Sequence, residues 1–569
     1  MIGEATSNPA SRYELRSRTL GALPIVGHFL ARMRVRALLE RYLPESDPRV
    51  GLPAASAIGV LVCNLCLCHQ PLYRLGEWAA PFDPAPLGLA ADQPCLLNDD
   101  RVGRALDRLF DADRASLLSE LMLGAISEFA VDCAQLHNDS TSVSLHGEYR
   151  GADGRERGGK PTVKLVPGHS KDHRPDLKQL LWILTVTADE AVPLAYRLAD
   201  GNTNDDSTHI ETWEGLRRLT GRSDFLYVAD SKLATRPNMT HIDAHGGRFI
   251  SLLPKSRKED RLLRDWICEH QPPWSEAARR PAARKGDPDE VWQTAPAPIR
   301  SAEGYRIAWV HSTIEQRLHE HIRAQRLDRA HAALKALDQR LHGTKCRFAE
   351  RQAVQGAADA ILAKHGASEL IRTQIIDRGV ERIVAQTRRP DGRIYRKRTT
   401  RQRFTLTWKV DQQALARDAA ADGCFPLITN DDKLTDPEIL AAYRYQPHLE
   451  KRHHQLKSIQ DAAPVYLKTP ARMEALFLCH YIALLTSALI ERELRQAMTR
   501  EDITELPLYP EHRACKHPTA TRTLELFSGL ARHRLYHDTH HLHDFAPKLT
   551  PLQAQLLALL DIPASAYAQ

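Results

Sequence analysis

Leu226-Tyr227-Val228-Ala229-Asp230-Ser231-Lys232 is a short apolar, β-branched run that stops at an acid. That is the pattern of a buried strand ending at the edge of a sheet. Upstream, Cys133–Asp139 repeats it, closing within Leu136-His137-Asn138-Asp139-Ser140-Thr141-Ser142. A carboxylate at the end of a buried strand is costly to keep without a partner or a metal. The competing reading is that each Asp caps a turn or helix through carboxylate-to-amide bonds. Between the two acids lie Leu177–Thr187 and Val192–Ala199, apolar runs separated by Ala188-Asp189-Glu190-Ala191, which read as a hairpin. Thr208–Leu219 and Asn238–Ala244 carry helical patterning, and Arg248–Leu253 is another strand.

The order is strand, strand, strand, helix, strand, helix, strand. It is that of a ribonuclease H-like core, in which the first and fourth strands lie adjacent, so Asp139 and Asp230 would emerge side by side. A long insertion follows, with a helical pair (Thr313–Leu341 and Arg347–His365) and strands at Tyr305–Val310 and Phe404–Val410. Cys424–Thr429 returns to strand. Asp436-Pro437 opens a helix, with Asp a good N-cap and Pro favourable in the first turn. On that helix Tyr443, Glu450 and Lys457 stand seven residues apart. Each step of seven drifts only ~20°, so all three should share one face, a carboxylate between a phenol and an ammonium.

The expected fold is thus an α/β ribonuclease H-like catalytic core with a large mixed α/β insertion, preceded by an all-helical N-terminal domain and followed by a helical C-terminal region. The expected segments are 1–125 (helical, binding DNA ends), 126–254 (first part of the core), 255–423 (insertion with helical pair and basic stretch), 424–498 (second part, with the Glu helix) and 499–569 (helical). The N-terminal helices are read at Ile25–Leu43, Ala54–Cys68 and Asp99–Leu123, punctuated by Pro and Gly.

At 569 residues the chain needs two to four domains. Its 43% hydrophobic and 26% charged residues are ordinary for a globular protein. The net charge of +7 is compatible with a polyanionic partner, and its clustering says more. Arg388–Arg403 holds eight basic residues against Asp391 alone, and Arg12–Arg41 holds seven arginines against Glu14 and Glu40. Either cluster also reads as a solvated loop or helix face. Met1–Ala10 has no apolar signal-peptide core, and the apolar run Ala475–Ile490 is too short to span a bilayer. Ten scattered cysteines point to a reducing cytosol, hence a cytoplasmic, nucleoid-associated location and no membrane. Cys63-x2-Cys66-x-Cys68-His69 reads as small buried thiols rather than a zinc site, because no second pair follows at finger spacing. His453-His454 and His537-x2-His540-His541-x-His543 read as surface or DNA-facing.

Attack of water or a 3′-hydroxyl on a phosphodiester needs an activated nucleophile, charge neutralisation and a stabilised leaving oxygen. Two divalent ions ~3.5–4 Å apart on hard oxygen ligands supply all three. Asp139, Asp230 and Glu450 are the candidate ligands and catalytic residues.

With these residues in place, the sequence resembles the DDE transposases of bacterial insertion sequences, in the subgroup with the signature Tyr-x2-Arg-x3-Glu-x6-Lys. Tyr443, Glu450 and Lys457 match it, while Gln446 stands at the Arg position, with Arg444 or Arg452 as possible substitutes. Gly168-His169-Ser170-Lys171-Asp172-His173-Arg174-Pro175-Asp176-Leu177-Lys178-Gln179, Asp200-Gly201-Asn202-Thr203 and Tyr227-Val228-Ala229-Asp230-Ser231-Lys232 carry the resemblance further, over roughly residues 20–560.

The resemblance implies two Mg²⁺ ions on the three acids, with Mn²⁺ able to substitute. It implies double-stranded DNA as partner, both terminal inverted repeats and target, and a homodimer in the synaptic complex. Tyr443 and Lys457 would hold transferred-end phosphates, with Arg444 nearby. Lys171 and Arg174 could touch phosphates near the acids, or form a salt-bridged rim with Asp172 and Asp176. Arg396, Lys397 and Arg398 would contact DNA beside the catalytic face. A nuclease without strand transfer, or a catalytically inactive DNA-binding relative, are the competing functions.

Overall fold

The computed structural model describes residues 13–568 except 46, 48, 150, 170–173, 283, 285, 344 and 463–466. The chain is mixed α/β, in two compact units: everything up to Ser251 together with Ala442 onward, and Leu252–Ala441.

In the first unit β1 (Gln135–Leu145) pairs antiparallel with β2 (Lys178–Thr187), which pairs antiparallel with β3 (Pro193–Asp200). On its other edge β1 runs parallel to β4 (Leu226–Ala229), and β4 runs parallel to β5 (Arg248–Leu252). The spatial order is β3-β2-β1-β4-β5. Helices α1 (His209–Thr220) and α2 (Arg236–Ala244) supply the connections into and out of β4. All four residues of β4 are buried, as a parallel strand covered on both faces requires.

β1 runs past Asp139 to Leu145, so this acid sits mid-strand and not at a strand end. Ser140, Thr141 and Ser142 look like turn residues, but their backbone continues the ladder with β2 and they are buried.

Helix α3 (Gln446–His454) precedes the long helix α4 (Pro470–Arg500). α4 extends past the apolar run at both ends. By length and composition it could cross a membrane, but 94% of its apolar window is buried inside the protein. It packs on the N-terminal helices Ala54–Leu67 and Asp99–Asp111 and on β3. Phe477 and Tyr481 meet Trp182 and Tyr196 at ring distances of 5.6 and 4.6 Å. The Arg492 guanidinium donates to the Phe129 and Ala130 carbonyls and pairs with Asp189 at 2.7 Å. The N-terminal helices therefore belong to the same compact unit as the sheet.

Both termini also depart from the all-helical expectation. Tyr13–Thr19 is a strand paired with Ala531–His537, which pairs in turn with His540–Phe545. Polar, arginine-rich Glu14–Arg18 gives no strand signal alone, because its partner lies at the far end of the chain. The histidines at 537, 540, 541 and 543 lie on that hairpin. Most N-terminal arginines have protein partners: Arg16 with Glu14, Arg32 with Glu128, Arg36 with Glu40 and Arg41 with Glu120. Cys63 and Cys66 are thiols of a core helix, and burial pushes Cys63 up to about 12.

In the second unit Cys424–Thr429, Arg306–Ser312, Glu290–Pro296 and Ser275–Arg280 form antiparallel neighbours in that order. Helices Thr313–His342 and Arg351–Lys364 enclose a core with the base of a two-stranded ribbon, Ile371–Arg388 against Ile394–Val410. Ile371, Ile375, Phe404 and Leu406 are buried there. The basic stretch, for which a solvated loop was the competing reading, is the outer half of this ribbon. Its ladder runs from Ile371 with Val410 to Arg388 with Ile394, interrupted by a bulge between Ile383 and Ala385.

Asp200-Gly201-Asn202-Thr203 has a packing reason. A Cβ on Gly201 would lie 2.1 Å from the Gln179 carbonyl and 2.4 Å from that of Val166. The Gln179 amide also donates to the Gly201 carbonyl at 2.7 Å. Gly201→Ala should lower stability by about 1–3 kcal/mol through backbone displacement. An unchanged thermal midpoint by calorimetry would contradict this packing.

Candidate active site

The parallel register pairs Gln135 with Leu226 and ends at Asn138 with Ala229. Asp139 and Asp230 are the next residues on the two chains beyond that last pair. Side chains alternate along a strand, so His137 and Asp139 share one face of β1 while Asn138 points to the other. Asn138 donates there to the Leu184 carbonyl and the Thr185 hydroxyl at 3.2 and 2.9 Å. Asp230 accepts from the Lys232 amide on one carboxylate oxygen at 3.0 Å, and its carbonyl accepts from Ser251 Oγ at 2.7 Å. The turn-capping reading therefore holds for one oxygen of Asp230.

Helix α3 lies over the His137–Asp139 face. Gln446 Oε1 is 2.9 Å from His137 Nδ1, and Gln446 Nε2 donates to the Asn138 carbonyl at 3.2 Å. Two turns on, His453 Nε2 stands 3.8 Å from Asp139 Oδ2, an electrostatic neighbour beyond hydrogen-bond range. Gln446, Glu450 and His453 have i, i+4, i+7 spacing, one stripe of a helix. Glu450 is thus held between two residues that touch β1, and it is exposed.

Arg452 fixes the opposite side of α3. It is buried, donates to the Ala191 and Glu190 carbonyls at 3.0 Å each, and pairs with Glu491 of α4 at 2.8 Å. Those bonds correct the expectation that Arg452 could stand in for the missing signature Arg. Gln446 itself ties helix to sheet. His453, read from sequence as surface or DNA-facing, is buried beside Asp139. The i+7 relation to Gln446 was the one available signal.

Tyr443, Glu450 and Lys457 do not share the single helical face expected of their spacing. Tyr443 ends a separate helix, Asp436–Tyr443, and Lys457 lies in a π turn, Gln455–Ile459, so one straight helix does not carry all three residues. Pro447 explains the break, since its ring would clash with the carbonyl four residues back, that of Tyr443. Tyr445 fills the junction, stacking on His448 at 4.2 Å and meeting His137 at 5.0 Å. Arg444 lies in the same junction and, like Tyr443 and Lys457, is half-buried. Lys171 lies outside the described residues. Arg174 donates twice to Asp176, at 2.9 and 2.7 Å, which is the salt-bridged rim. Arg396, Lys397 and Arg398 are exposed on the ribbon, with Arg398 3.1 Å from Glu381.

Residues 15–123 match the profile of a family described as a domain of unknown function (DUF4277). No curated protein matches the chain. Among solved structures, a cryo-EM structure of the piggyBac transposase synaptic complex with hairpin DNA aligns over 86% of this chain and 87% of that one, at 9% identity and a TM-score of 0.26. Likeness at that level assigns neither fold nor function.

Burial drives His137 down to about 4, opposed by its hydrogen bond to Gln446, and burial likewise takes His209 to about 4. Both rings are uncharged in the fold at neutral pH, each keeping a single N–H. The unfolded imidazole, near 6.5, takes up a proton first, so stability falls as pH drops from about 6.5 towards 4. For His137 the loss is on the order of 3 kcal/mol. His137→Gln should flatten the decline in thermal midpoint over this range relative to wild type. Parallel profiles would show that His137 is not the titrating anchor.

Proposed function

We propose that the chain is a DDE-type DNA transposase. In this reading a ribonuclease H-like core cuts the ends of its own mobile element and joins them to target DNA. The observation that supports it most is the parallel register that runs up to the residues before Asp139 and Asp230, beside a helix that carries Glu450 between Gln446 and His453.

The donor set is chemically suited to Mg²⁺ or Mn²⁺. It offers hard carboxylate oxygens, with Asp139 and Asp230 partly exposed and Glu450 exposed. Two such ions bound there would neutralise charge on the phosphodiester and activate the attacking oxygen. The remaining roles belong to side chains. Gln446 and Arg452 hold α3 in place, and in this reading that anchoring would offer the Glu450 carboxylate to the same ions as the two aspartates. His453 sets the electrostatic surroundings of Asp139. Tyr443, Arg444 and Lys457 flank α3 at both ends and are assigned to phosphates of the transferred end. The substrate is double-stranded DNA, the element's inverted repeats and a target site, bound by a homodimer.

Asp139→Ala, Asp230→Asn and Glu450→Gln should each abolish Mg²⁺-dependent cleavage of DNA carrying the element's ends. Binding of that DNA should survive, because affinity comes from Lys and Arg contacts elsewhere. Normal cleavage by any one variant removes that residue from the triad.

The ribbon tip offers a second test. Arg388–Thr400 is exposed, and Arg389 lies over the Tyr395 ring at 5.4 Å. A two-stranded ribbon fits the width of a major groove. Replacing Arg396, Lys397 and Arg398 with Ala should weaken DNA binding and reduce its log–log salt slope by up to about three. A slope equal to that of wild type means the ribbon does not meet phosphate.

A further inference from the structure

On α1 and α2 of the first unit, Glu214, His241 and His245 each bring a ligand atom within 4.8 Å of the other two. Glu214 stands mid-way along α1. His241 is in the last turn of α2, and His245 is its C-cap residue, four positions on. Spacing of i, i+4 sets both imidazoles on one side of the helix, and their rings lie 4.2 Å apart. We propose that these three residues form a binding site for a divalent transition ion of the Zn²⁺ class, joining α1 to α2. The proposal does not depend on the catalytic reading.

Three features suit the site to an ion. His245 Nδ1 donates to the His241 carbonyl at 2.7 Å, which selects the tautomer whose Nε2 lone pair is available. Glu214 is oriented from its far side: Arg217 Nε donates to Oε2 at 3.1 Å, leaving Oε1 to face His241. His241 Nε2 and Glu214 Oε1 are 2.9 Å apart. Two ligands at about 2.0–2.1 Å from a tetrahedral ion stand about 3.3 Å apart, so the pair needs only a small opening. In the metal-free protein a proton bridges that gap, and the ion replaces it.

Two imidazoles and a carboxylate select Zn²⁺, Co²⁺ or Ni²⁺ over Mg²⁺ or Ca²⁺, which prefer all-oxygen sites. Three protein ligands leave a fourth position to water. The pair is anchored below by Trp213, a fully buried ring 6.0 Å from His241 and 6.2 Å from His245. Closing the site costs little, because α1 and α2 already pack against each other. The ion's role is to clamp together the helices that lead into and out of β4, the strand that stops just before Asp230.

The test is titration of the purified full-length chain with Co²⁺, followed by the visible d–d absorption of four-coordinate cobalt and checked by Zn²⁺ competition. One equivalent should give the tetrahedral band, and Zn²⁺ should abolish it. His241→Asn with His245→Asn should lose the band while keeping wild-type circular dichroism. Glu214→Gln should weaken binding at least about tenfold. His541→Asn with His543→Asn, on the C-terminal hairpin, should titrate like wild type. No tetrahedral band, or a band unchanged by His241→Asn with His245→Asn, would overturn the proposal. So would loss of the band only in the hairpin variant. Should the double variant misfold, Glu214→Gln and the hairpin variant still decide the matter.

Discussion

Everything at the candidate site depends on four backbone pairs, Gln135 with Leu226 through Asn138 with Ala229. Side chains repeat every two residues along a strand, so a slip of one would turn His137 and Asp139 to the opposite face and part Asp139 from Asp230. Burial prevents the slip. Leu136, Tyr227, Val228, Ala229, Phe249 and Ile250 are all fully enclosed, and moving any to the other side would strand polar neighbours in the core. The position of two carboxylates at the surface is in this sense a consequence of apolar packing beneath them.

The third carboxylate is placed by polar contacts. Gln446 holds one end of α3 to β1, and Arg452 holds the other side to the β2–β3 turn and to α4. Arg452 is a buried cation whose pairing with Glu491 roughly offsets its desolvation, so its contribution is to position more than to stability. Glu190 and Ala191, its carbonyl partners, take left-handed backbone at φ 57° and 53°. The hairpin turn is shaped to present those carbonyls. A helix carrying an exposed acid is thereby fixed by its buried neighbours.

The core strands and crossover helices were legible because each is a run of consistent period with Gly, Pro or acid punctuation. Leu226–Ala229 and Arg248–Leu252 appear within a residue or two of where patterning puts them. The break at Arg444-Tyr445 was also legible, from Pro447, although the seven-residue spacing points to one helix. Two features were not legible, each for a physical reason. β1 continues through Ser140–Ser142 because a neighbouring ladder outweighs local turn preference. The strand Tyr13–Thr19 depends on a partner more than five hundred residues away, which no local pattern encodes. His453 was misread for a similar reason: its neighbour Asp139 is near only in the fold. The roles of the site residues in DNA chemistry rest on the proposal and its experiments.

The most direct measurement is anomalous diffraction from crystals of the protein soaked in Mn²⁺. The account predicts manganese bound among Asp139, Asp230 and Glu450, with their carboxyl carbons within roughly 10 Å of one another. Manganese bound elsewhere, or a Glu450 carboxylate turned away from both aspartates, would contradict it.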